Sequence, residues 1–193
     1  MNHVFVLEEI GKDEEHNAVI KERRNGQGAE VAGVTVEGKV AYLSLVQLQA
    51  GVTWQKSHYT RPEKWSKDSS VPAEKRIFRT PDWYGYFTAT YSPVKPLNIA
   101  LSGTYTGSMI VQHMKGYIPK DIAVTTPDFF DMNLKISYDF SLYKFITLQL
   151  NAGIQNIFNA YQRDFDRGKE RDSGYIYGPS MPRSYFAGAK LMF

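Results

Sequence analysis

The feature that most constrains this chain is a two-residue alternation of apolar and polar side chains. It persists over segments about as long as a tilted strand needs to cross a bilayer, roughly 9 to 11 residues. Between Phe145 and Gln155, Ile146, Leu148, Leu150, Ala152 and Ile154 interleave with Thr147, Gln149, Asn151, Gly153 and Gln155. Phe130, Met132, Leu134, Ile136, Tyr138 and Phe140 alternate in the same way with Asp131, Asn133, Lys135, Ser137 and Asp139. The short Ser141-Leu142-Tyr143-Lys144 joins the two runs into a predicted hairpin. A period of two gives a strand two unlike faces, whereas a helix would scatter the same residues around its circumference.

The pattern recurs upstream. Leu97, Ile99, Leu101, Gly103, Tyr105, Gly107 and Met109 form one apolar series, and Trp83, Phe87, Ala89 and Tyr91 another, with the turn Ser92-Pro93-Val94-Lys95-Pro96 between them. Val46, Leu48, Ala50, Val52 and Trp54 form a third, and Ala32, Val34, Val36 and Val40 a fourth. A weaker segment runs from Val4 to Glu9, and the last, Ser184 to Phe193, places Tyr185, Ala187, Ala189, Leu191 and Phe193 on one side. The count is about eight long strands. Predicted connections alternate in length: Gly38-Lys39, Ser92 to Pro96 and Ser141 to Lys144 are short, whereas Gly11 to Ala18, His58 to Ile77, His113 to Pro127 and Asn159 to Pro182 are long and polar. Short turns at one rim and long loops at the other are the habit of outer-membrane barrels, with the short turns on the periplasmic side.

Composition narrows the class. The chain is 42% apolar and 14% aromatic with a negative mean hydropathy, as expected of a barrel whose strands hide one apolar face each. No apolar stretch is long enough for a spanning helix, so a membrane span would be made of strands. A net charge of +3 from 23 basic and 20 acidic residues gives no nucleic-acid signal. With no cysteine there is no disulfide or thiolate metal site, and no HExxH, GxSxG or phosphate-cradling Gly-Lys motif is present. The histidines, at 3, 16, 58 and 113, fall in separate segments. These absences predict a non-enzyme with no metal and no cofactor.

A soluble sheet also alternates. Three features favour a membrane wall: the length of the strands against a usual 5 to 6 residues or so, a polar face rich in Gln, Asn, Thr and Ser, and the gathering of Tyr42, Trp54, Trp83, Tyr84, Tyr138, Tyr143 and Tyr185 near strand ends.

Several pieces in order carry a resemblance. Asn25-Gly26 precedes Ala29-Glu30-Val31-Ala32-Gly33-Val34-Thr35-Val36-Glu37, and Arg79-Thr80-Pro81 opens a strand. Then come Gly153-Ile154-Gln155-Asn156-Ile157-Phe158-Asn159-Ala160-Tyr161 and Gly178-Pro179-Ser180-Met181-Pro182-Arg183-Ser184-Tyr185, closing on Phe193. Over nearly its whole length the chain resembles the C-terminal portion of TonB-dependent outer-membrane receptors. The resemblance implies an all-β fold, a transmembrane antiparallel β-barrel in which about eight long strands form the C-terminal part of a larger barrel of about 22. Residues 1–193 would then be the C-terminal barrel segment, with plug domain and signal peptide absent. Implied partners are outer-membrane lipid, the barrel-assembly machinery and, in the full-length receptor, the plug and the TonB energy-transducing protein. The alternating Tyr185, Leu191 and terminal Phe193 resemble the signal read by that machinery.

Substrate capture in the family falls to outward loops, which makes His58, Tyr59, Trp65, His113, Arg163, Tyr175 and Tyr177 the candidate ligand-binding residues, with Arg61, Met114, Tyr161, Arg167 and Arg171 in the same loops. Aromatics with arginines suit an anionic siderophore or another large chelate, and His113 also reads as a haem ligand. The plainer readings are a solvated loop histidine and, for Arg163 to Asp172, a self-paired surface loop. Gly33 and Gly153 are expected where backbones pass closely, and Arg183 at a membrane interface. Two other architectures stay open: a self-contained small outer-membrane barrel of about eight strands, adhesin, structural protein or lipid enzyme, and a soluble lipocalin-like binder. Alone, the receptor segment would expose unpaired edges in lipid and is expected to misfold, aggregate or close imperfectly.

Overall fold

A computed structural model describes residues 5–13, 15–16, 18–25 and 28–193, and the side chains of these except 5–9 and 24–25. All regular structure among them is strand: β1 Phe5–Asp13, β2 Ala18–Asn25, β3 Ala29–Tyr42, β4 Val46–Glu63, β5 Glu74–Arg76, β6 Trp83–Val94, β7 Leu97–Thr106, β8 Ile110–His113, β9 Ile122–Thr125, β10 Phe129–Tyr143, β11 Ile146–Gln155 and β12 Ser184–Met192. The main sheet runs β12-β11-β10-β7-β6-β4-β3, antiparallel throughout, with β5 added beside β4. Hairpins β1-β2 and β8-β9 form separate two-stranded sheets. The eight expected strands are all present, and four shorter ones join them.

Cross-strand register explains why the alternation matters. Val40, Leu48, Ala89, Leu101, Leu134, Ile154 and Tyr185 lie opposite one another in turn, an apolar row crossing seven strands. A second row, Tyr42, Val46, Tyr91, Ile99, Ile136, Ala152 and Ala187, runs beside it. On the opposite face Lys39, Gln49, Thr88, Ser102 and Asn133 align. Polar side chains bond across strands there: Thr35 with Thr53 at 2.9 Å, Gln49 to the Tyr86 hydroxyl at 3.2 Å, and Gln149 to Asp139 at 2.8 Å.

The chain leaves the apolar face uncovered. Val36 and Val40 are 63% and 65% exposed, and Leu48, Val52 and Ile136 are exposed as well. A water-soluble sheet buries that face; one this extensive belongs against lipid or another protein. Buried apolar side chains are instead Ala29, Met109, Ile110, Val111, Phe129 and Tyr175, all at or beyond the edge of the long connections. Aromatic pairs mark both rims, Trp54 with Trp83 at 6.4 Å and Tyr138 with Phe140 at 4.6 Å. From Trp83 to Tyr91 the strand covers about 26 Å along its length.

Several boundaries differ from expectation. No turn forms at Gly38-Lys39; β3 pairs with β4 through Tyr42, and the chain reverses at 43–45, where Leu43 has φ 51°. Between β6 and β7 the turn is Lys95-Pro96, after an irregularity in pairing at Tyr91 to Val94 that accommodates Pro93. The β10–β11 turn shrinks to Lys144-Phe145. The connection predicted as long at Gly11 to Ala18 is a tight hairpin turn, closed by the Asp13 carboxylate accepting from the amides of Glu15 and His16 at 3.0 and 3.3 Å. His58 and Tyr59 lie within β4, whose pairing continues to Tyr59 opposite Ala29 and to β5 through His58 opposite Arg76. Met109 is not in β7, which ends at Thr106, and residues 110–125 hold the β8–β9 hairpin. Gly26 of the Asn25-Gly26 step lies outside the described residues. Gly33 and Gly153 do sit at close approaches: a Cβ at Gly33 would stand 2.5 Å from the Trp54 carbonyl oxygen, and one at Gly153 would strike that of Leu134.

Candidate functional site

Three connections meet at the long-loop rim: 64–82 between β4 and β6, 107–128 between β7 and β10, and 156–183 between β11 and β12. The last has no regular structure and is held by side chains. Asn156 and Asn159 start it with φ of 52° and 55°, a conformation Asn tolerates better than most residues. The buried Asn156 amide donates to the carbonyls of Ala160 and Met181 at 3.1 and 3.0 Å and accepts the Ala160 amide at 2.8 Å. Gln162, 1% exposed, donates to the Tyr175 carbonyl at 3.1 Å and accepts the Tyr177 amide at 2.9 Å, cross-linking the two arms of the connection.

Beyond that brace two aspartates organise the wall. Asp164 accepts the hydroxyls of Tyr175 at 2.8 Å and Tyr177 at 2.6 Å. Burial would raise its pKa and is the largest single influence, but the phenol bonds together outweigh it and hold the carboxyl below its usual range. The phenols respond in the opposite sense: burial first, then the bond to Asp164, pushes Tyr175 up to about 12 and raises Tyr177 as well. Asp166 accepts from His113 Nε2 through both oxygens, at 2.9 and 3.0 Å, and from the Asp172 amide at 2.9 Å. The His113 ring stacks on Tyr175, and Met109, Val111 and Tyr175 pack as a small core.

Other ties complete the assembly. Arg79, with φ 59°, donates its amide to the Ile110 carbonyl at 2.8 Å and its guanidinium to the carbonyls of Ile176, at 2.7 Å, and Gly174. Asp172 accepts the Met114 amide at 2.8 Å, and buried Asp121 accepts from Ser66 Oγ at 2.5 Å and the Lys115 amide at 2.6 Å. The result is a cleft of about 500 Å³ between connections 107–128 and 156–183. Tyr117, Ile122, Val124, Phe165 and Tyr175 supply its apolar and aromatic lining, and Arg163 and Arg167 its basic groups.

Of the seven candidates the structure therefore brings His113, Arg163 and Tyr175 to one cleft, with Tyr177 joined through Asp164. It places His58, Tyr59 and Trp65 elsewhere. His58 faces Glu30 at 3.3 Å, and Trp65 packs edge-on against Phe78 while donating to the Pro72 carbonyl at 3.1 Å. The Nε2 of His113 is engaged by Asp166 rather than offered to the cleft. The run from Arg163 to Asp172 is not paired charge to charge: among the described residues none of its arginines makes an ion pair, Arg171 reaches the Gly168 carbonyl and the Asp172 amide reaches Asp166 within the run, and its other aspartate bonds go to tyrosines, His113 and backbone amides outside it. Asp164, Asp166, Gln162 and Arg79 escaped the sequence reading as site builders, because nothing local distinguishes them from other loop residues. Among the described residues no group of three or more His, Asp or Glu is arranged to hold a metal ion.

Comparison with known proteins bears on the sheet. No protein-family model and no curated protein matches the sequence. Solved structures do match. The ferric-catecholate import receptor Fiu from K12 E. coli, in its closed form, superposes with a TM-score of 0.58 at 19% identity over 94% of this chain. The structure of the FpvAI–pyocin S2 complex superposes with a TM-score of 0.58 at 14% identity over 90%. The fold is that of the antiparallel β-sheet wall in these two structures. This chain spans 23% and 20% of those two chains, so it corresponds to a portion of such a wall. In a wall of this type the cleft described above lies on the connections at one rim, apart from the spanning rows.

Proposed function

We propose that the chain is part of the barrel wall of an outer-membrane TonB-dependent receptor, its apolar rows facing lipid, its polar face lining the lumen and its long connections forming part of the ligand-facing mouth. The observation that carries this reading is the uncovered apolar face running through seven strands in register, on a sheet that superposes on receptor walls. An edge strand in lipid leaves a row of backbone groups without partners, so β3 and β12 require neighbouring strands. In the described residues they do not pair with each other, which favours a larger barrel over a closed small one. The work of this segment is uptake without catalysis: wall, mouth and route for a nutrient whose identity the ligand-facing residues set. A plug, the TonB transducer and the barrel-assembly machinery are the partners this reading calls for, the last engaging the exposed Tyr185 and Leu191 of β12 and Phe193 after it.

The cysteine-free chain makes the test direct. Single cysteines replace Arg167 on a long connection and Lys144 at a short turn, and intact cells are treated with a membrane-impermeant maleimide. Outer-membrane fractionation with labelling at 167 alone, and at 144 only after permeabilisation, is the expected result. Recovery in the soluble fraction, or labelling at 144 in intact cells, sinks the proposal.

A further inference from the structure

The short-turn end of the sheet is apolar where turns are ordinarily polar. The three short connections of the main sheet are Leu43-Ser44-Leu45, Lys95-Pro96 after Val94, and Lys144-Phe145 after Tyr143. Leu43 and Phe145 are 78% and 79% exposed, and Val94, Leu142 and Tyr143 are exposed as well. Turn tips that stand in water carry Gly, Asn, Asp, Ser or Pro, each suited to the backbone there. Leu43 instead holds an exposed apolar side chain at φ 51°, a conformation that Gly or Asn adopts at less cost. The tips are not separate flaps: the Ser92 amide donates to the Leu45 carbonyl and the Asp139 amide to the Pro96 carbonyl, both at 2.8 Å, which ties the turns to the neighbouring strands as one edge. They also prolong the apolar face, through the row Val94, Leu97, Tyr138, Leu150 and Ala189 and beyond it Phe140, Leu148 and Leu191.

Charge at this end is mainly basic. Over residues 41–47, 90–98, 137–149 and 187–193 the charged side chains are Lys95, Lys144, Lys190 and Asp139. Lys95 and Lys144 are exposed at the tips themselves. Asp139 and Lys190 lie on the polar face on either side of Gln149, which donates to Asp139 at 2.8 Å. Asp139 keeps its charge, but on the side of the sheet away from the apolar rows.

We infer that these turns are sunk in the headgroup layer of the adjoining leaflet, and that Lys95 and Lys144 bind the phosphates of anionic phospholipids there. Neighbouring turns stand two strand spacings apart, about 10 Å, so the apolar tips make a band that runs on from the lipid-facing rows, whereas a protein partner would need one compact patch. Apolar tips gain by leaving water, and a lysine stem lies along apolar surface while its ammonium reaches a phosphate. Near an anionic lipid surface each lysine strengthens attachment about fivefold. A zwitterionic headgroup gives less, because its own cation offsets the phosphate. The inference rests on the receptor reading for which face of the sheet meets lipid.

The test uses the complete protein containing this chain, reconstituted in vesicles of phosphatidylcholine with phosphatidylglycerol, with a bimane on Ser44→Cys as its one reactive thiol. Lipids carrying a nitroxide near the headgroup should quench the bimane, and aqueous iodide should not. Quenching should be about twofold stronger or more when phosphatidylglycerol carries the nitroxide than when phosphatidylcholine does, and the excess should fall as salt rises. The double variant Lys95→Gln, Lys144→Gln should lose that excess while keeping heat-modifiable migration on gels, and Lys95→Arg with Lys144→Arg should retain it. Strong iodide quenching with none from lipid puts the turns in water and overturns the inference, as does equal quenching by the two lipids or an excess that survives in the glutamine variant. Shielding from iodide without quenching by either lipid assigns the tips to another part of the complete protein and overturns it too. Cell fractionation judges the receptor reading separately: recovery in the soluble fraction refutes that reading and this inference together, whereas an outer-membrane protein whose turns stand in water refutes the inference alone.

Discussion

The imidazole of His113 lies face to face with the phenol of Tyr175, ring centroids 3.6 Å apart and planes 7° from parallel. His113 belongs to the hairpin after β7 and Tyr175 to the connection before β12, so this stack joins two segments that the sheet alone leaves independent. The same imidazole donates to Asp166, whose side chain is 2% exposed.

Replacing His113 with Ala removes the stack and leaves a buried carboxylate without its side-chain donor, at a local cost of about 1–3 kcal/mol. Amides between residues 162 and 178 should exchange with deuterium faster, while those of β10 and β11 keep their protection. Equal exchange at 162–178 in both proteins would show that the stack does not hold the connection.

Asp164 and its two phenols give the connection a pH window. A carboxyl held below its ordinary value contributes stability above the unfolded value of 3.8, and this is lost as pH falls through the still lower folded value. Tyr175, raised to about 12, contributes fully below its ordinary value of 10.0, and that contribution fades as pH climbs towards 12. Near-ultraviolet tyrosinate absorbance should therefore show late-titrating phenols, one of which disappears in Tyr175→Phe. A variant titration identical to wild type would refute the assignment.

Glycine positions separate tight from open backbone. Gly33→Val places a Cβ against the Trp54 carbonyl and should abolish heat-modifiable folding, whereas Gly38→Ala meets nothing within 4 Å and should fold normally. Comparable gel migration for the two variants would contradict the register between β3 and β4.

The faces of the sheet predict opposite sensitivities. Arginine in place of Ile136, in the apolar row, should cost about 2–4 kcal/mol on refolding into bilayers if it lies near the midplane. Arginine in place of Thr104, exposed on the polar face, should cost much less. Urea titrations in vesicles give both values, and equal losses would mean the lipid-facing side has been misassigned.

Arg79 holds the carbonyls on either side of Tyr175 from a left-handed backbone. Arg79→Ala loses the guanidinium and keeps the strain; Arg79→Gly loses the guanidinium and relieves it, so it should be the less damaging by about 0.5–1 kcal/mol. Limited proteolysis near residue 174 ranks them, and the reverse order would exclude backbone strain at this position.

Much of the fold was legible because the two faces of a strand are written locally. The Leu97, Phe130 and Ile146 runs each declared a sheet face, and register then assembled them into rows. Turn positions were less legible. Gly38-Lys39 reads as a turn pair, yet Val40 and Tyr42 find partners in Leu48 and Val46, and cross-strand pairing outweighs a local turn preference. His58 and Tyr59 looked like loop residues for the converse reason: their strand is extended by pairing with β3 and β5, beyond the end of any visible alternation.

By itself the sequence determined that the chain builds long two-faced antiparallel strands and that its polar, aromatic and charged material collects in the connections. Only the tertiary structure decided what that material does. Asp166 and Arg167 are neighbours in an alternating run of charges, and nothing local says which will be hydrogen-bonded to the framework. The outcome depends on His113, 53 positions away, arriving at hydrogen-bonding distance of one and not the other. Long-range donors thus turned the acids into framework and left the bases facing outward, because a buried carboxylate must be satisfied while an exposed guanidinium can remain in water.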